Sequence, residues 1–289
     1  MVKFFVLSRF IVRFYKSSIV FLYFLVASHN FTMYFQKGFF MINSNTFSNF
    51  NSKYPIYADL HTHSISSGHG SEDTITDMIR CASESGLSLF GISDHGPATS
   101  SSAKPSYFQS LKLADRDRFG IRVLYGAELN IINTAGDVDL DDEILSALDY
   151  AIISIHPPIF KPYHDKDLSS AYIRAMDHPK VRFLGHIDDA RFPVDFEYLL
   201  EIAKEKHVYP EINNGSLMPD AYRINGQENC RRILSICKKL DLPVLLSSDS
   251  HGKKNIGNMQ YIFPLLEELD FPAHLVLNSD LSALSEIIR

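Results

Sequence analysis

The chain has 289 residues, of which 45% are hydrophobic and 21% charged, enough for one large domain or two ordinary ones with a sizeable core. Its formal net charge of -6 argues against a protein that coats nucleic acid, which needs a basic surface. Cys81, Cys230 and Cys237 form no zinc-finger spacing and no disulfide framework; they read as buried free thiols of a reducing compartment.

The first fifty residues differ from the rest. "MVKFFVLSRFIVRFYKSSIVFLYFLVASHNFTMYFQKGFF" is rich in Phe and nearly devoid of acid. Its longest uncharged apolar run, Ile19 to Ala27, is shorter than the roughly 20 residues that span a bilayer. Three readings fit. Basic residues ahead of the run, with Ala27-Ser28 after it, resemble a signal peptide. Arg9, Arg13 and Lys16 share one helical face, as in a membrane-surface helix. Alternatively translation starts at Met33 or Met41 and the segment is not part of the working protein. "NSNTFSNFNSK", ending at Lys53, reads as a polar linker, which gives a leader and linker over 1–53 and one domain over 54–289. That domain is expected in the cytoplasm, or exported or membrane-anchored if residues 1–30 act as a signal.

From Ile56 the pattern alternates short apolar strands with amphipathic helices. Strands are predicted at Ile56–Leu60, Leu89–Ser93, Val123–Ala127, Ala151–Ile155, Arg182–Gly185, Val208–Ile212 and Val244–Ser247, each bounded by turn-forming residues. Ile75, Met78, Ile79 and Ala82 recur at helical spacing. Further helices are predicted at Asp141–Leu148, Leu168–Met176, Phe196–Lys206, Asn229–Leu240 and Met259–Leu269, the last kinked or shortened by Pro264. Such alternation implies an α/β fold with a parallel sheet, either doubly wound or closed into a barrel. No G-x-G-x-x-G follows the first strand, so a dinucleotide site lacks its usual support.

Polar residues gather where these strands end. His61 and His63 follow the first, Asp94 and His95 the second, Glu128 the third, His156 the fourth and His186 the fifth. Asp249 and His251 follow the seventh, while the sixth ends in Asn213 and Asn214. Seven of the 12 histidines, including His69, lie at or near strand ends. Core histidines satisfied by hydrogen bonds have no reason to collect there, and in a parallel barrel all strand carboxyl ends meet on one face. Carboxylates and imidazoles crowded together call for cations. His61-x-His63 and Asp249-x-His251 each aim two side chains the same way from extended backbone. A shell of imidazole and carboxylate without thiolate suits Zn, Mn or Fe better than Ca or Mg. Glu128 and Asp249 are natural bridging groups. Asp59 and Asp94 sit beside histidines and either orient them or, for Asp94, take part in proton transfer.

In this order "DLHTHS", "ISDHG", "GAELNI", "SIHPP", "GHIDD" and "SSDSH" resemble the PHP (polymerase and histidinol phosphatase) superfamily, most closely its stand-alone YcdX-type phosphatase branch. The resemblance runs from about Tyr57 to the C-terminus. It implies a distorted TIM-like barrel of seven strands and seven helices, with a trinuclear metal centre at the strand C-terminal face. The implied ligands are His61, His63, His69, His95, Glu128, His156, His186, Asp249 and His251, none of them substituted. His69 rests on the family pattern most, since "SSGHG" alone reads as a loop. By the same resemblance one metal takes His61, His63, Glu128 and Asp249, a second shares Glu128 with His156 and His186, and a third uses His69, His95 and His251.

Clustered divalent metals activate water and neutralise phosphoryl charge, so a metal-activated hydroxide attacking a small phosphate monoester is the expected chemistry. Arg191 is expected to contact the phosphate, with Lys161 and His164 as further cations. Three alternatives stand beside this: histidinol-phosphate hydrolysis, exonuclease or phosphodiesterase activity, and a metal-binding regulatory module without turnover. The acidic balance and the lack of a basic-aromatic strip weigh against the nuclease, and no nucleic-acid partner is expected.

Overall fold

The computed structural model describes residues 53–160 and 166–288, together with the backbone of five short strands within residues 4–40. Two compact units are present, Met1–Phe50 and Asn51–Arg289. In the first, Phe4–Leu7 pairs antiparallel with Phe10–Arg13, and Asn30–Phe35 pairs antiparallel with both Leu25–Ala27 and Gly38–Phe40. The backbone at Phe10–Arg13 is therefore extended where a surface helix was considered, in keeping with its aromatic and β-branched residues. Arg9, Lys16 and most of the linker lie outside the described residues, as do Lys161 and His164. No helix among the described residues is long and apolar enough to cross a membrane.

The second unit is α/β with parallel pairing. Ala58–Asp59 pairs with Leu89–Ile92, which pairs with Ile121–Tyr125. Ala127–Asn130, Ala151–Ser154, Val181–Leu184, Tyr209–Asn213 and Leu245–Ser247 follow as one five-stranded parallel sheet in sequence order. Thr62–His63 pairs in parallel with Ser250–His251. Among the described residues of this unit the hydrogen-bonded strands fall into ladders of four, five and two strands. The predicted third strand is interrupted at Gly126, so Glu128 lies within a second strand segment instead of following the first.

Side-chain alternation divides the apolar residues. Ala58, Leu60, Leu89, Leu124, Ile152, Phe183 and Leu245 form one buried cluster with Tyr150 and Leu277. Their strand neighbours, among them Phe90, Val123, Ile153, Leu184 and Leu246, join a larger cluster with the helices. This two-residue period is what a strand buried on both faces requires. Gly91 is needed where it stands, because a Cβ there would lie 2.3 Å from the Tyr150 hydroxyl and 2.9 Å from Leu60 Cα.

The helices cover the outer cluster. Ile75–Glu84 starts with a capping box between Thr74 and Asp77 and buries Met78, Ile79 and Ala82. Phe196–Glu205, capped by Asp195, buries Phe196, Leu199, Leu200 and Ala203. Gly226–Leu240 buries Cys230, Ile233, Leu234 and Cys237, and all three cysteines are free thiols. Pro264 opens the helix Phe263–Glu268 from its first turn instead of kinking a longer one. Helices at Pro105–Ser110 and Leu281–Ile287 were not evident in the sequence pattern.

One buried amide joins the first strand to the seventh. The Asn278 side chain accepts from the Leu246 N–H at 2.7 Å and donates to the carbonyls of Ala58 and Leu246 at 2.8 and 2.7 Å. Its own carbonyl accepts from the Tyr57 N–H. Asn278→Ala strips the Leu246 and Ala58 backbone groups of their side-chain partner and should lower stability by about 3 kcal/mol in urea denaturation. A loss below about 0.5 kcal/mol would show that the strands hold this seam without it.

Candidate metal centre

The ladder register brings the predicted residues together. His251 lies directly opposite His63 in the parallel pair, and His95 forms an isolated parallel bridge with Glu128. Their rings follow: the centroids of His63 and His95 are 4.2 Å apart, and those of His63 and His251 4.3 Å. His69 arrives from an exposed turn; its ring stacks on His95 at 4.9 Å and lies tilted against His251 at 5.0 Å. Two of the residues bend the chain into the left-handed region, His186 at φ 28° and Asp249 at φ 52°. Neither is glycine, and such strain persists only where the surroundings fix it.

Glu128 is fully buried at the middle of this group. Its Oε1 lies 2.8 Å from His186 Nε2, 3.3 Å from His156 Nε2 and 3.4 Å from His61 Nε2. Its Oε2 lies 2.6 Å from His95 Nδ1 and 3.6 Å from His63 Nε2. Asp249 Oδ1 is 3.2 Å from His63 Nε2 and 3.7 Å from His61 Nε2. Among the described residues three sets have donor atoms close enough to share an ion: His61, His63 and Asp249; His95, Glu128 and His156; and His63, His95 and His251.

Four of the imidazoles are held from behind. His61 Nδ1 lies 2.5 Å from the buried carboxylate of Glu211. His63 Nδ1 meets the Ser67 hydroxyl at 3.0 Å, and that hydroxyl donates its proton to Asp94 Oδ1 at 2.7 Å; Ser67 therefore accepts from His63. His156 Nδ1 meets Asn130 Oδ1 at 2.8 Å, while Asn130 Nδ2 donates to Asp139 at 2.6 Å, which fixes the amide orientation. His251 Nδ1 meets the carbonyl of Asp249 at 3.1 Å. In all four the Nδ1 proton is committed, and Nε2 presents its lone pair.

These lone pairs test whether the residues fit a metal. Nε2 of His61, His63 and His251, both ring nitrogens of His95, and Glu128 Oε2 are buried without a hydrogen-bond partner. Buried polar atoms are ordinarily satisfied, and a cluster of unsatisfied nitrogen and oxygen donors is the set that a borderline divalent ion takes. The electrostatics agree. Burial disfavours the charged form of His63, and its neighbours His95 and His251 add to this, holding its pKa well below the usual histidine value. Burial would raise Glu128, but His156, His61 and His95 outweigh it and hold the carboxyl well below the usual range. His61 is the exception: burial opposes its charge, yet the carboxylates of Glu211, Glu128 and Asp249 prevail and raise it well above the usual value, so an ion bound at its Nε2 has to displace a proton.

The two residues expected to act directly on substrate are placed differently from each other. Asp94 is fully buried. Its oxygens accept from the Ser64 N–H, the hydroxyls of Ser64 and Ser67, and Tyr107 at 2.5 Å. It reaches the site through Ser67 and His63, and it does not line the cavity. Arg191 does line a cavity of about 930 Å³ above the histidines, with Nε donating to Asp189 at 2.9 Å. Asp59 accepts from Ser248 and from the Gly257 N–H, bracing the loop that carries Asp249.

Three groups escaped the sequence pattern. Glu211, inside the sixth strand, accepts from the His186 N–H at 2.7 Å as well as facing His61. Arg223 lines the cavity and donates to Asp249 Oδ2 at 2.8 Å. Asp139 acts through Asn130. The alternation Glu211–Asn213, which puts both polar residues on one strand face, was the available signal for Glu211.

Residues 59–215 match the family model described as the PHP domain. Over 231 residues the chain is 36% identical to a probable phosphatase of Clostridium acetobutylicum, covering 80% of this chain and 93% of that protein. A probable phosphatase of Caldicellulosiruptor saccharolyticus is 35% identical over 231 residues, covering 80% and 95%. Among solved structures, the histidinol phosphate phosphatase of Lactococcus lactis, complexed with zinc, L-histidinol and phosphate, gives a TM-score of 0.53 at 20% identity, covering 74% of this chain and 94% of that one. The putative histidinol phosphatase of Listeria monocytogenes gives 0.53 at 19%, covering 69% and 97%. At these identities the structures speak for the fold. The model match and the 36% identical relative together make this chain a member of the PHP domain family.

Proposed function

We propose that the protein is a metal-dependent phosphatase that hydrolyses small phosphate monoesters at a centre of three divalent ions, most readily zinc, with manganese or iron as substitutes. The observation that carries this reading is the cluster of buried imidazole and carboxylate atoms without hydrogen-bond partners at the floor of an open cavity. The relatives named probable phosphatases support the same reading. His61, His63, Glu128 and Asp249 would hold one ion, Glu128 with His156 and His186 a second, and His69, His95 and His251 a third. His63 and His95 also stand within reach of neighbouring sets, so the three positions are contiguous. Three observations favour one ring: the His95–Glu128 bridge links the first ladder to the second, 250–251 pairs with 62–63, and one apolar cluster draws residues from six strands. A distorted seven-stranded barrel accounts for both.

Bound divalent ions supply Lewis acidity, lowering the pKa of water and neutralising phosphoryl charge. The chain's own part is to bind and orient. Arg191 and Arg223 stand on one cavity wall, each steadied by a carboxylate, Asp189 or Asp249, so that their remaining N–H groups meet the phosphoryl oxygens. Asp94 serves as a positioning residue: it orders the Ser64–Ser67 turn and, through Ser67, the ring of His63. Glu211 does the same for His61 and for the backbone at His186.

Metal-loaded protein should carry close to three divalent ions by elemental analysis and hydrolyse p-nitrophenyl phosphate faster than its diester, with chelation abolishing turnover and zinc or manganese restoring it. Fewer than two ions, or both esters untouched, would sink the phosphatase reading. Histidinol phosphate belongs to the same monoester class, and its turnover relative to other monoesters settles that specific assignment. Glu128→Ala should reduce kcat by at least about a hundredfold with the fold intact by circular dichroism; retained turnover would show that no shared carboxylate is needed. Glu211→Gln leaves every proposed ligand in place and should weaken metal affinity about 10–100-fold in chelator competition. Unchanged affinity would mean His61 is oriented without it.

A further inference from the structure

Above the proposed metal floor the cavity changes character. Its lining includes the small polar residues Thr99, Ser100 and Ser101 and the larger, mostly apolar Pro157, Ile159, Met218 and Tyr222. Beyond the central carboxylates and the two arginines, Asp220 is the only charged side chain among the described residues lining this space. Tyr222 is 61% exposed, unusual for a large aromatic side chain that costs apolar hydration. The guanidinium carbons of Arg191 and Arg223 lie 5.0 and 5.2 Å from its ring centroid, within cation–π range.

The segment bearing Tyr222 is held in place. The Ala190 N–H donates to the Ile224 carbonyl at 2.9 Å, tying the Arg191 loop to the Tyr222 loop. The Ala221 N–H donates to the Met218 carbonyl at 3.0 Å, and buried Arg223 is fastened to Ser216 and Asp249. An exposed aromatic ring on a braced loop, beside the two arginines placed to hold a phosphoryl group, faces what that phosphoryl group is attached to. Both arginines already have carboxylate partners, so the described residues of the mouth offer little unpaired positive charge to a second anionic group.

We propose that Tyr222, with Met218 and Ile159, forms a leaving-group subsite that selects phosphate monoesters of aromatic alcohols over those of small or highly charged alcohols. This rests on the phosphatase reading of the same cavity. The ring supplies a π-face for stacking, and the flanking side chains supply apolar area that a short alkyl group leaves uncovered. Tyr222 is a specificity residue here: the phosphoryl group is held by other side chains.

Benzyl phosphate and ethyl phosphate separate this subsite from the chemistry, because both leave as simple alcohols and differ chiefly in the ring. With zinc-loaded full-length protein, kcat/KM for benzyl phosphate should exceed that for ethyl phosphate by about tenfold or more. Tyr222→Ala should bring the ratio to within about threefold, and Tyr222→Phe should keep it. Equal values in the unaltered protein would overturn the proposal. So would a Tyr222→Ala loss that strikes both esters alike, which would make the tyrosine a prop for the arginines only. Calorimetric binding of benzylphosphonate against ethylphosphonate tests the subsite without turnover. Tighter benzylphosphonate binding, lost in Tyr222→Ala, supports it even if neither ester is hydrolysed, an outcome that counts against the phosphatase reading alone. Equal binding of the two phosphonates overturns it.

Discussion

Glu128 is a carboxylate without access to solvent, faced by five imidazoles. Burying an unpaired carboxylate costs several kcal/mol even after relaxation, so positive charge has to be brought to it. Imidazolium could supply that charge at some positions but not at His63, where burial and the neighbouring His95 and His251 oppose it. Divalent cations resolve both demands at once, since they neutralise the carboxylate and are bound by neutral imidazoles. The cluster is therefore costly as a purely structural device and well formed as a metal cage.

Much of the surrounding structure orients that cage. Nδ1 of His61, His63, His156 and His251 is occupied by Glu211, Ser67, Asn130 and the Asp249 carbonyl respectively. Behind two of these stand further carboxylates, Asp94 and Asp139. The arrangement leaves Nε2 as the inward donor and removes the tautomeric freedom that would otherwise weaken binding. The left-handed backbone at His186 and Asp249 belongs to the same economy of position. Such backbone persists only where the surroundings fix it.

The sequence was legible where periodicity and chemistry coincide. Strands and principal helices follow from apolar runs and helical spacing, and the metal-type side chains announce themselves by sitting where strands end. It was less legible where a residue's role depends on a partner far along the chain. Glu211 and Asn278 sit among apolar neighbours, and only the fold shows that their polar atoms meet His61 and the Ala58 and Leu246 backbone. Arg223 reads as a turn residue until Asp249 is beside it. Glu128 looks like a strand terminus because the break at Gly126 divides one apolar pattern into two segments. Asp94 adjoins His95 in sequence, which leaves open whether it orients a histidine or takes part in proton transfer; its bonds to Ser64, Ser67 and Tyr107 favour the orienting role.

The most direct test of this account is anomalous diffraction from crystals of the zinc-loaded protein, recorded on both sides of the zinc edge. The expected result is three peaks around Glu128, with His61, His63 and Asp249 on one, His156 and His186 on another, and His69, His95 and His251 on the third. Absence of any peak within this group, with zinc present in the crystal, would contradict it and return the buried histidines to a purely structural role.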